Sequence, residues 1–173
     1  MVNAFVDPSL RIVLFVFMTI IMGLTGSLIN GSAWQNPQVN FAIFVSAFGM
    51  LFGAFYGLLA GFVEFLAFPI ILAFIDFCDF VFCLSGGAAL AHGIRVHSCT
   101  NHEYLDNNRI VQGSTDRCRK AQATTAFLFF SMAVAAGQLA LSIITMLQSG
   151  PFSQPSRKRS SPPRTGLPTM SQV

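Results

Sequence analysis

Charge is what this chain has least of. Charged residues fill 10% of its 173 positions and mean hydropathy is +0.62, whereas an ordinary soluble domain carries about 25% charged residues. That scarcity excludes a solvated globular surface. No nucleic-acid partner is expected. Polar aromatics are also rare, with one Trp and two Tyr beside 19 Phe. There is no nucleotide-binding glycine loop, no nucleophile elbow and no zinc-protease helix. Neither an enzyme nor a cofactor is expected.

What the chain has instead is length of apolar run. A bilayer-spanning helix needs ~20 mostly apolar residues. Four such runs occur, over residues 10–29, 39–62, 65–91 and 121–147. The expected fold is all-α: an integral-membrane four-helix bundle over residues 1–149 with both termini on one side. The first run is too long for a cleavable signal and reads as a retained anchor, with Asp7 or Ser9 as its cap and Pro8 near its first turn. Trp34 is expected at interfacial depth, and 62–64 as a tight turn ending in Glu64. Asn30-Gly31-Ser32 is a glycosylation sequon too close to a span for ready modification.

Lys and Arg do not decide orientation, because Arg11 and the tail balance the basic residues of the third loop. Cys99 and Cys118 do. They stand at the ends of that loop, outside the spans, and disulfides persist on the oxidising face. A disulfide-closed outer loop and cytosolic termini follow; the alternative is two unrelated reduced thiols. His97 and His102 flank Cys99 without regular ligand spacing, so no metal site is expected. Cys78 and Cys83 read as reduced packing residues.

Asp76 and Asp79 lie inside the third run, three residues apart and so on one face. No basic residue falls in an apolar core to pair with them, and an unpaired carboxylate in hydrocarbon is costly. Thr124, Ser131, Gln138, Ser142 and Thr145 form one stripe on the fourth run. Matching depths predicts a buried polar seam, with Gln138 near Asp76 and Ser131 near Asp79. A proton or ion relay is the alternative use of the two acids.

Gly49, Gly53, Gly57 and Gly61 recur every four residues on the second run, a small-residue ridge that admits another helix closely. Either the first helix fills it or a second copy does, making a homo-oligomer. Residues 150–173 are rich in Ser, Pro and Arg and are expected to form a disordered cytosolic tail. There Arg157, Lys158, Arg159 and Arg164 can contact anionic lipid, and Ser160 and Ser161 can be phosphorylated to release it.

Several segments resemble the fungal non-classical export proteins. They are Gly93-Ile94-Arg95-Val96-His97-Ser98-Cys99, Gln112-Gly113-Ser114, Arg117-Cys118-Arg119, Ala121-Gln122-Ala123, Ala126-Phe127-Leu128 and the C-terminal Pro168-Thr169-Met170-Ser171-Gln172-Val173. Asn40, Gly49, Tyr56-Gly57, Glu64, Pro69, Asp76-Phe77 and Phe80-Val81-Phe82 fit the same pattern, which does not fix Gly53, Gly61 or Asp79. The resemblance implies a four-span MARVEL-like domain of the plasma membrane. It also implies a non-enzymatic role in organising membrane microdomains and eisosomes and in sensing sphingolipid status. Membrane lipids, a sphingolipid or sterol among them, and eisosome proteins are then the expected partners. The alternative is a small proton- or ion-coupled transporter or channel using Asp76 and Asp79.

Overall fold

The computed structural model describes residues 3–33, 35–63, 66, 68–95 and 97–150. The expected positions of Trp34 and Glu64 lie outside the described residues. So does the tail from residue 151 onward, including Arg157, Lys158, Arg159, Ser160, Ser161 and Arg164.

Hydrocarbon offers no partner for backbone N–H and C=O groups, so a spanning segment must satisfy them internally, as a helix does. Among the described residues all regular structure is helical. The elements are α1 (Asn3–Asn30), α2 (Pro37–Phe48), a π-helical segment (Gly49–Tyr56), α3 (Gly57–Phe62), α4 (Pro69–Ile94), α5 (His102–Asn107) and α6 (Thr115–Ser149). Four stretches are long and apolar enough to cross a membrane: Val6–Asn30, Pro37–Phe62, Pro69–Ile94 and Thr115–Gln148. The second is α2, the π segment and α3 run together. α4 packs most extensively on α6, α6 on α1, α1 on the second span, and α2 on α4, which closes a four-helix ring.

Several boundaries differ from the expected ones, each for a local reason. α1 begins at Asn3, so Asp7 and Ser9 lie inside the helix and not at its N-cap. The third span begins at Pro69 rather than residue 65. Proline lacks an N–H and suits a first helical position, while the residue before it is pushed out of the α region. Phe68 is accordingly extended, with φ −78° and ψ 116°. The connection from α3 is therefore longer than the expected tight turn. The fourth helix starts at Thr115, where the Ser114 side chain accepts from the Arg117 N–H. It has 35 residues and, at 1.5 Å each, is about 52 Å long. It thus reaches well past a ~30 Å hydrocarbon core.

The bundle interior follows α1. Leu14, Met18, Ile21 and Leu28 are fully buried and meet Val45 from α2, Cys83 and Leu90 from α4, and Leu128 from α6. The opposite faces are apolar and exposed, with Phe15, Phe44, Phe52, Phe55, Phe74, Phe77 and Phe130 among them. Other phenylalanines fill gaps between helices: Phe48 and Phe82 meet edge-on at 5.0 Å.

The third loop is a folded cap. Cys99 and Cys118 are disulfide-bonded, with Cα atoms 5.7 Å apart. Around the bridge, Leu105 and Val111 are buried and Tyr104 packs against them. Arg117 ties this cap to the bundle, donating to the Leu28 carbonyl at 2.8 Å and to the Ile110 carbonyl at 3.1 and 3.3 Å.

Candidate functional site

The largest departure from the sequence reading is Arg11. It is 1% exposed, among the most deeply buried side chains of the protein. The expectation that no basic residue lies in an apolar core is therefore overturned. Arg11 counts as interfacial only if the helix starts near residue 9. With α1 starting at Asn3, Arg11 falls on the stripe shared by Leu14, Met18, Ile21, Thr25 and Leu28, all turned inward.

Every nitrogen of its guanidinium is engaged. Nη1 donates to the Gly53 carbonyl at 2.7 Å and to Asp76 Oδ1 at 3.3 Å. Nη2 donates to Asp76 Oδ2 at 3.4 Å, and Nε to Asp7 Oδ2 at 3.2 Å. The Asp76 pair is forked, the arrangement that suits a planar guanidinium and a carboxylate. Asp7 stands one turn before Arg11 and is 37% exposed, so the charged group runs from the protein's edge to its interior. Asp76 is fully buried and also accepts a hydrogen bond from the Ser142 hydroxyl on α6.

The glycine ridge makes room for these groups. A β-carbon at Gly57 would overlap the Arg11 guanidinium, and one at Gly53 would overlap the Asp79 carboxylate. At Gly49 it would stand 2.5 Å from the Met18 methyl. Three of the four ridge glycines thus receive side chains from α1 and α4. Gly61 is exposed and has nothing within 4 Å of an added β-carbon, so it takes no part in this packing. The π segment coincides with the receiving surface, and Gly53, whose carbonyl Arg11 takes, sits in its middle. Such wide turns often mark functional positions within helices.

The buried seam differs from its expected register by one turn. Asp76 meets Ser142, not Gln138. The late start of α4 at Pro69 moves Asp76 toward the terminal end of the bundle, and so opposite a later residue of the antiparallel α6. Asp79, Ser131 and Gln138 are each fully buried, and their side-chain polar atoms have no hydrogen-bond partner among the described residues. The expected Ser131–Asp79 bond is absent from this arrangement. Thr124 and Thr145 turn their hydroxyls onto carbonyls of their own helix, Lys120 and Leu141, and leave the stripe.

Sequence reasoning missed Arg11 and Arg117 as structural residues, having weighed both only as orientation charges. Two signals were available for Arg11. Asp7 precedes it by one helical turn, and it continues the three-and-four spacing of residues 14, 18, 21, 25 and 28.

Comparison with known proteins places this architecture. The model of the MARVEL family, a membrane-associating domain, matches residues 4–141. Non-classical export protein 2 of Saccharomyces cerevisiae is 43% identical over 171 residues, covering 98% of this chain and 99% of that one. Non-classical export protein 102 of Candida albicans is 51% identical over 168 residues, 96% of this chain and 97% of that one. A Schizosaccharomyces pombe homologue is 38% identical over 116 residues, 65% and 62% of the two chains. No solved structure matches the chain significantly.

Proposed function

The chain belongs to the MARVEL family and is related over nearly its full length to the yeast non-classical export proteins, and from that premise we propose that it is a non-enzymatic organiser of plasma-membrane microdomains and eisosomes, responsive to sphingolipid status. The observation that carries this reading is the division of the bundle's surfaces. Arg11, Asp76, Asp79, Ser131 and Gln138 of the spans turn inward, while a belt of exposed phenylalanines and aliphatics faces outward. Such a surface interacts with lipid tails over most of its area. Span length points the same way. The first three spans have 25, 26 and 26 residues, about 38 Å of helix. Thick, sterol-rich and sphingolipid-rich membranes accommodate such lengths with less mismatch than thin ones.

In this reading the disulfide cap faces outside and both termini are cytosolic, because disulfides persist on the oxidising face. The basic tail then lies against the anionic cytosolic leaflet and reports to protein partners. The transport reading is weaker than the sequence alone suggested. Asp76 is held by Arg11 and Ser142, so of the two acids only Asp79 stays without a partner among the described residues.

A tagged copy imaged in living cells tests the proposal. Surface patches should redistribute when sphingolipid synthesis is inhibited, and should persist when Asp79 is replaced by Asn. Patches indifferent to sphingolipid depletion would overturn the lipid-responsive role. Loss of a proton-coupled flux in Asp79→Asn, with the fold intact, would favour transport.

A further inference from the structure

We propose that the cleft between the start of the second span and the disulfide cap binds a phosphate group, carried by an anionic lipid headgroup or by a small soluble phosphate ester. The inference is independent of the organiser reading and rests on how the cleft is lined. It has a volume of ≈ 1120 Å³ and lies where α2 begins and α4 ends, with residues of α5 along its wall. Arg95 and Arg109 line it together with His92 and His97, against a single acidic residue, Glu103.

Three features turn this cleft toward an anion. Neither Arg95 nor Arg109 makes an ion pair or a side-chain hydrogen bond among the described residues, unlike Arg11, Arg117 and Lys120, which are all engaged. The two guanidiniums are thus uncommitted donors, and forked donors of this kind suit phosphate oxygens. Secondly, three of the last four carbonyls of α4, which would repel an anion, are occupied. The Tyr104 hydroxyl donates to the Ile94 carbonyl at 2.5 Å, Asn108 Nδ2 to that of Gly93 at 2.9 Å, and the Arg95 N–H to that of Ala91 at 3.0 Å. Thirdly, α2 starts here at Pro37 with its Gln38 N–H capped by Asn36 at 2.8 Å, and a helix start carries partial positive charge. The cleft opens at the end of two membrane spans, the depth at which headgroups lie.

Arg95 occupies the left-handed region at φ 48°, which Asn tolerates better than other non-glycine residues. Arg95→Asn therefore removes the charge while keeping the turn. Arg109 is exposed, and Arg109→Gln disturbs no described contact of its side chain. The full chain, with Arg157, Lys158, Arg159 and Arg164 replaced by Gln to silence the tail, is placed in phosphatidylcholine nanodiscs with and without phosphatidylinositol. Bound lipid is counted by native mass spectrometry, and inorganic phosphate and inositol phosphate serve as competitors. Phosphatidylinositol should be retained in preference to phosphatidylcholine, and each Arg substitution should weaken it about tenfold or more. Retention that resists millimolar competitor identifies a lipid headgroup as the source. Competition with the same sensitivity to the Arg substitutions identifies a soluble phosphate ester. Equal retention by the parent and Arg109→Gln would overturn the proposal. So would loss in the combined Arg95→Asn/Arg109→Gln variant that an Arg95→Lys/Arg109→Lys control, with its disulfide still resistant to alkylation, fails to restore in part.

Discussion

Replacing Arg11 by Met removes the guanidinium and keeps an apolar side chain of similar reach. Four things are lost together: the donation to the Gly53 carbonyl, both arms of the fork to Asp76, and the contact with Asp7. Asp76 stays fully buried, with Ser142 as its only remaining partner among the described residues. Breaking a buried ion pair by removing one member costs roughly 3–5 kcal/mol in soluble proteins, mainly because the other charge is stranded. In a bilayer the separated helices also find partners in the reference state, which reduces such effects. We therefore expect a loss of roughly 2–4 kcal/mol, a 30- to 700-fold shift toward the dissociated bundle. Arg11→Lys should fall between, since a point charge cannot serve Gly53 and both Asp76 oxygens at once.

The double variant makes the reasoning refutable. Arg11→Met with Asp76→Asn leaves no stranded charge, and replacing a whole buried pair is often close to neutral. The double variant should therefore be more stable than Arg11→Met alone, with a coupling above the ~1.7 kcal/mol maximum of ordinary interhelical hydrogen bonds in membranes. The assay is reversible SDS denaturation of the purified protein in bicelles, followed by circular dichroism. Additive single effects, or a cost below ~0.5 kcal/mol for Arg11→Met, would show that Arg11 is solvated rather than paired.

Three further outcomes follow from the same geometry. Gly57→Ala should destabilise the bundle by ~1–3 kcal/mol through overpacking against Arg11, whereas Gly61→Ala should be neutral or stabilising by up to ~1 kcal/mol through helix propensity; equal effects in the same denaturation assay would refute the notch. Reducing the Cys99–Cys118 bridge, or replacing both by Ser, should cost the cap about 3 kcal/mol and leave four inserted spans, read by protease protection; alkylation of both thiols in unreduced cells would disprove the bridge. Burial pushes the Tyr104 phenol above its ordinary value, so its contribution is fully present below pH ~10 and lost as pH rises through the raised value; in a Tyr56→Phe background, tyrosinate absorbance should appear later in the folded protein than in the unfolded one, and coincident titrations would contradict the buried hydroxyl.

The spans were legible in the sequence because hydrophobic length is a one-dimensional property, and lipid leaves a long apolar run little choice but helix. The disulfide was legible because two cysteines stand outside the spans in a chain where cysteine is otherwise confined to them. The ends of helices were less so. Pro69 reads openly as a first-turn residue and is one, but an apolar run that begins at residue 65 set the expected start of the span four residues early. The π segment had no readable mark beyond its glycines. The widened turn reflects side chains arriving from α1 and α4, and those are contacts of tertiary origin.

Arg11 shows most directly where local reasoning stops. Its partner Asp76 is 65 residues away, on a helix it meets only in the folded bundle. Read one span at a time, Arg11 is a flanking charge, Asp76 an orphan acid and the glycines a contact surface for another backbone. Brought together, each accounts for the others. Gly57 is small because the Arg11 guanidinium must enter the second span's surface, Asp76 is tolerated because the guanidinium is there, and the arginine can be buried because both are. Asp79 differs in this respect. It rests on Gly53 just as Arg11 rests on Gly57, yet no donor among the described residues meets it. Its burial is therefore not explained by the packing that explains Asp76. If the polar interior serves more than stability, substitutions at Asp79 rather than at Asp76 should separate function from folding.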